Sequence, residues 1–130
     1  MKLYAQCEPE LLKALGAEAV GLLCDGDIGT LANRFGYALS FGRDTATAIR
    51  ADLAQCLVRV GARSLAAAAG ESVRSVRFYE PNSSNLLAVI ECLAPTDNGT
   101  AVLVELVVTT NGSEKHITLE DISAPDVEAR

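Results

Sequence analysis

Three apolar runs in the last third of the chain, Leu86–Ala94, Ala101–Thr110 and His116–Ile122, are separated by two short polar breaks, Asp97-Asn98-Gly99 and Asn111-Gly112. Asn-Gly supplies the positive φ angles that tight hairpins require, and the runs are of strand length, so this segment predicts an antiparallel meander. Side chains alternate along a strand, which puts Val102, Val104, Leu106 and Val108 on one face and Leu103, Glu105, Val107 and Thr109 on the other. The first set is the better core face. Both faces remain fairly apolar, as expected of a central strand with helices on one side and a curved or partly covered surface on the other. In the last run Ile117 and Leu119 point one way, and His116, Thr118 and Glu120 the other.

The first half carries a helical period instead. Pro9 suits the first turn of a helix, where its missing N–H is no loss, and Glu8 and Glu10 favour the positive end of the helix dipole. Leu11, Leu12, Leu15, Ala19, Leu22 and Leu23 then recur at three- and four-residue spacing, predicting an amphipathic helix that stops near Cys24–Gly26. Asp27 is placed to cap a short second helix, with Ile28, Leu31, Ala32 and Phe35 on one face and Gly36 just past its end. Tyr37–Phe41 reads as a buried connector. Asp44 or Thr45 caps a third helix whose core stripe is Ala48, Ile49, Leu53, Cys56, Leu57 and Val60, with Gly61 as its stop. Ser64–Ala69 fits either another helical turn or the lead into the sheet. Val73–Tyr79 alternates and reads as a first strand, followed by the turn-rich loop Glu80–Asn85. The charged tail after Pro125 is expected to fray. The expectation is therefore a single α+β domain over residues 1–130, with about three N-terminal helices packed on a four-stranded antiparallel sheet.

Length and composition bound what such a domain can hold. At 130 residues it buries a core without needing metals or disulfides. With 49% hydrophobic residues but only 5% aromatic and no Trp, that core is built of Ala, Leu and Val, which disfavours a large aromatic pocket for a flat cofactor. The apolar runs are interrupted by Glu91 and Glu105 and are too short to span a membrane. Met1–Pro9 has no apolar segment of the signal-peptide kind, so a cytoplasmic location is expected. Cys7, Cys24, Cys56 and Cys92 are irregularly spaced, form no Cys-x-x-Cys pair and read as buried structural thiols.

No arrangement in the sequence compels a reaction. No serine lies in a Gly-x-Ser-x-Gly turn, no glycine pattern cradles phosphate, and His116 is the only histidine, with no partner ligand at metal spacing. Two carboxylate pairs, Asp25/Asp27 and Glu120/Asp121, have the donors for a divalent cation or a shared proton. Asp27 is better used as a helix cap and Asp25 as a solvated turn residue. No catalytic, cofactor-binding or metal-binding residue is therefore assigned. Charge is more telling. The net charge is −6, yet residues 78–130 hold nine acids against Lys115 and Arg130, so this half alone carries −7. That field repels nucleic acid and either keeps the surface solvated or attracts a basic protein. The contact residues it nominates are Glu80, Glu91, Asp97, Glu105, Glu114, Glu120 and Asp121.

A leading helix with a Gly-Asp turn (Leu22-Leu23-Cys24-Asp25-Gly26-Asp27), further helix, and a sheet closing on Thr118-Leu119-Glu120-Asp121-Ile122 resembles the cystatin-like, nuclear-transport-factor-two-like α+β class. The resemblance runs from about Glu10 to Ile122. It implies helices packed into the concave face of a curved sheet, and often a pocket with a His/Asp or Tyr/Asp pair. Tyr37, Phe41, Tyr79 and His116 are the residues available to line one here. In size, acidity and α+β build the chain also resembles bacterial immunity proteins of contact-dependent growth inhibition systems, which bind and block one cognate toxin domain, frequently a basic nuclease. That resemblance implies a binding protein and not an enzyme, with a protein toxin as partner. A plain homodimer through the outer face of the sheet is the third expectation.

Overall fold

The computed structural model describes residues 1–4, 6–68 and 71–125. Helix α1 (Pro9–Cys24) opens with Pro9 in its first turn and buries Leu12, Leu15, Gly16, Ala19, Val20 and Leu23. The Asp27 carboxylate accepts from the Thr30 N–H (3.4 Å) and starts α2 (Ile28–Phe35), which buries Ile28, Leu31 and Phe35. A single 3₁₀ turn, Ala38–Ser40, leads to α3 (Thr45–Val60), capped by Asp44 accepting from the Thr47 N–H (3.1 Å) and stopped by Gly61 at φ 73°. Each helix thus begins and ends where its capping residues predict.

Among the described residues the sheet is antiparallel and has five strands, not the expected four. Its order is β1 (Lys2–Leu3), β5 (Glu114–Ser123), β4 (Ala101–Asn111), β3 (Leu86–Pro95) and β2 (Val73–Phe78). The additional strand is the two-residue β1, which pairs Lys2 with His116 and Leu3 with Lys115 and covers part of the free edge of β5. Two residues show no alternation, so only their pairing partner reveals them as a strand.

Both hairpins form where the polar breaks predict, with a refinement at the second. Asn111 stays in β4, paired with Glu114, and the loop proper is Gly112-Ser113 with Gly112 at φ 65°. Glycine in the first loop position, rather than Asn-Gly as the central pair, therefore supplies the tight turn. Asn98 in the other hairpin also reaches back to α3, donating through Nδ2 to the Val60 carbonyl (3.1 Å) and satisfying one of the helix's terminal acceptors. Ser64–Ala69 resolves as the lead into the sheet over its described part. Leu65 bridges Thr96, the Ala66 N–H donates to Pro95 O (2.8 Å), and Asp97 N–H donates to Ser64 O (3.0 Å). Ala69 and the tail beyond Pro125 lie outside the described residues.

The strands β3 and β4 alternate between full and partial burial along almost their whole length. Ala88, Ile90, Cys92 and Ala94 of β3, Val102, Val104, Leu106 and Val108 of β4, and Ile117, Leu119 and Ile122 of β5 form the buried face together with the helix stripes. Each fully buried Leu or Ile contributes about 1.5–3 kcal/mol relative to its exposed state. Helix α1 crosses β2 and β3, α3 crosses β4 and β5, and α2 lies between them. At Gly16 the helix comes so close that an added Cβ would stand 2.9 Å from Val73, 3.0 Å from Cys92 and 3.1 Å from Ile90. The three helices thus occupy one face of the sheet. Three bulges, at Arg74 in β2, Leu87 in β3 and Glu120 in β5, each place an extra residue opposite one partner. Such insertions bend a strand and increase its twist.

The segment Tyr37–Phe41 departs from the expected buried connector. Tyr37 is only 6% exposed, whereas Phe41 is 80% exposed and left-handed at φ 50°. The reversal of the chain after the 3₁₀ turn swings Phe41 outward, so an apolar composition misreports its position.

Candidate functional site

The face of the sheet away from the helices carries Val89, Glu91 and Leu93 on β3 and Leu103, Glu105 and Val107 on β4, all partly buried. Register across the strands orders them into rows. Leu93 pairs with Leu103, Val89 pairs with Val107, and between those two apolar rows Ser75, Glu91, Glu105 and Asp121 stand directly opposite one another on β2, β3, β4 and β5. The bulge adds Glu120 beside Asp121. Like charges directly opposite on neighbouring strands are destabilising, so this row is a concentration of negative potential held against its own repulsion by the fold.

Electrostatics at Glu105 follow from that arrangement. Partial burial pushes its carboxyl above the usual range, and the charges of Asp121, Glu91 and Glu120 push it further, with Arg77 opposing. Ser75 Oγ is 3.4 Å from Glu91 Oε1, a weak contact at the end of the row. Asp121 stands at the lip of the sheet. It also borders a cleft of about 250 Å³ between α3 and β5, whose wall includes Asp52, Gln55, Cys56 and Arg59.

Of the seven acids nominated from the sequence, four therefore meet: Glu91, Glu105, Glu120 and Asp121. The other three lie elsewhere. Asp97 sits in the β3–β4 hairpin with Oδ1 accepting from the Arg63 N–H (3.1 Å), a local tie between that hairpin and the end of α3. Glu114, at the β4–β5 turn, pairs with Lys2 (3.4 Å) and with His116 (3.2 Å). Glu80 lies in the exposed β2–β3 loop, where its carbonyl accepts from Asn82 Nδ2 (2.8 Å). The convergence was partly readable, since Glu91 and Glu105 lie the same seven residues before and after Asn98, the centre of the hairpin.

The four residues named for a small-molecule pocket do not converge. Tyr79 belongs to a groove of about 180 Å³ at the β2–β3 loop with Pro81, Leu86 and Leu87, His116 is on the β1 side of the sheet, and Phe41 points outward. Tyr37 does form a Tyr/Asp pair: its hydroxyl donates to Asp52 Oδ2 at 2.6 Å. Arg43 grips the same carboxylate with both Nη atoms (3.1 and 3.3 Å) and also donates to the Ser40 and Leu39 carbonyls. Burial and the neighbouring carboxylate raise the Tyr37 phenol far above its ordinary value, while the Arg43 guanidinium holds Asp52 below the usual carboxylate range. Both oxygens of Asp52 are thus already engaged, and the trio works as a clasp between the 3₁₀ turn and α3.

Two of the four cysteines expected to be buried, Cys56 and Cys92, lie in the core, whereas Cys7 and Cys24 sit at its margin. Cys56 is buried with Sγ 3.4 Å from Ile122 O, and burial pushes Cys92 up to about 12. Cys7 and Cys24 are half-buried and also raised by desolvation. Among the described residues no group of three or more His, Cys, Asp or Glu side chains has the geometry to hold a metal ion, and no helix is long and apolar enough to cross a membrane. No family model, curated protein or solved structure matches the chain.

Proposed function

We propose that this chain is a protein-binding domain of the immunity type, which occupies and neutralises a cognate toxin domain of basic character through the open face of its sheet. The observation that carries the reading is the in-register row Glu91–Glu105–Asp121, with Glu120 beside it, lying between two apolar rows on a face that the helices leave uncovered. A face of that make-up offers both desolvation area and a steering field for a cationic partner. The same potential disfavours nucleic acid. Helices on one side of an antiparallel sheet agree with the cystatin-like resemblance, and we extend the proposal to that class. The toxin would be met in the cytoplasm.

Co-expression with the products of the genes on either side of this one is the direct test. A complex should form, its association should slow at least tenfold between 50 mM and 500 mM NaCl, and the double reversal Glu91→Lys/Glu105→Lys should abolish it. A complex that survives the reversal with an unchanged association rate would move the interface away from this face. No complex with any neighbouring gene product would refute the immunity reading itself.

A further inference from the structure

The spacing of the three rows specifies more than a charge. Rows two residues apart along a strand are separated by about 6.8 Å, and neighbouring strands by about 4.8 Å. The apolar pairs Leu93/Leu103 and Val89/Val107 are confined to β3 and β4, so the track they make is two strands wide and about 14 Å from end to end, with Glu91 and Glu105 at its midpoint. An α-helix, about 10 Å across, covers two strands, and its residues i, i+4 and i+8 rise in steps of about 6 Å. Those three positions drift by only about 80° around the axis, within one amphipathic face. A second copy of this chain is a poor occupant, because it would set its own Glu91 and Glu105 against these.

We propose that the partner lays an amphipathic helix along β3 and β4, with one Arg or Lys at its centre over Glu91 and Glu105 and an apolar residue about one turn to either side over Leu93/Leu103 and Val89/Val107. This rests on the protein-binding reading above and narrows it to a three-point motif: apolar, cationic, apolar. The apolar ends displace water from around the central ion pair, where charge-assisted hydrogen bonds then count for more.

The test needs no cognate toxin. The probes are two side-chain-stapled helical peptides of identical composition. One carries leucine, arginine and leucine in successive turns of one face, and the other has the arginine moved to the opposite face. Each is titrated into the isotopically labelled full chain. The aligned peptide should shift the methyl signals of Val89, Leu93, Leu103 and Val107 saturably and bind at least tenfold more tightly than its isomer. Glu91→Gln/Glu105→Gln and Val107→Ser should each weaken the aligned peptide at least tenfold, with circular dichroism confirming that both variants remain folded. Equal binding of the isomer, or shifts confined to the helices, overturns the motif. Loss of binding in the Gln pair with none in Val107→Ser refutes the three-point pattern while leaving a basic partner in place. Indifference to both sets of changes removes the face from the interface altogether.

Discussion

Replacing Glu105 by Gln should make the protein more stable, because the carboxylate is held among its own kind. Glu105 stands directly opposite Glu91 on one side and Asp121 on the other, with Glu120 adjacent. At about 6 Å in water each unit-charge pair repels by about 0.7 kcal/mol, and partial burial raises that figure while salt screening and Arg77 lower it. Because Glu105 keeps substantial solvent contact, a net gain of about 1 kcal/mol for Glu105→Gln near neutral pH is the discounted expectation. In a chain of this size it corresponds to about 4 °C in Tm.

The pH dependence has a fixed sign. A carboxyl whose pKa is raised by folding costs nothing below its unfolded value of about 4.3 and costs progressively more as pH climbs toward the folded value. Above the folded value the full cost is present. Urea unfolding followed by circular dichroism should therefore show the variant ahead at pH 8, level with the parent at pH 3.5, and less far ahead in 1 M NaCl. A variant that is less stable at pH 8, or equally advantaged at both pH values, would refute the electrostatic account. On the function proposed above, the same substitution should weaken the toxin complex, so that stability and binding would move in opposite directions.

Three further substitutions probe the scaffold, each read by chemical denaturation. Gly16→Ala should lose about 1–2 kcal/mol despite the better helix propensity of alanine, since its Cβ meets Val73, Cys92 and Ile90. Gly21→Ala, with nothing within 4 Å, should gain about 0.5–1 kcal/mol; the reverse order would mean α1 sits farther from the sheet. Asp52→Asn should cost about 1 kcal/mol near pH 7. The depressed carboxyl makes that loss full above about pH 4, and it should vanish as pH falls through the folded value, whereas a loss that persists at pH 2 would mean the clasp acts through shape alone.

The elements that announced themselves in the sequence are those whose signal is local. The caps Asp27 and Asp44, the stop Gly61 and the hairpin breaks each fix one chain reversal or end through their own backbone or side chain. The face assignment of Val102, Val104, Leu106 and Val108 follows from alternation alone. What escaped is non-local. β1 exists because Lys2 and Leu3 meet His116 and Lys115, more than a hundred residues away in the chain. The bulge at Glu120 changes the residue opposite Glu105 from Glu120 to Asp121, and a bulge leaves no mark in composition. The acidic row was therefore half visible, through the symmetry of Glu91 and Glu105 about Asn98, and its extension onto β5 depended on register. The clasp of Tyr37, Arg43 and Asp52 was invisible for the same reason, as its three members come from a loop, a turn and a helix.

Because the strands β3 and β4 alternate so regularly, each carries two vocabularies on one backbone. Odd positions such as Glu91, Leu93, Leu103 and Glu105 face outward, and even positions such as Ile90, Cys92, Val104 and Leu106 hold the helices. Substitution at the odd positions rewrites what the surface meets without touching the packing beneath it. On the binding reading proposed above, single substitutions at those positions would change what the face meets and leave the helix-facing residues as they are. The insulation has one weak point. A one-residue slip in either strand would exchange the two vocabularies at once, so the hairpin at Asn98 holds the outward face in place as much as it holds the core.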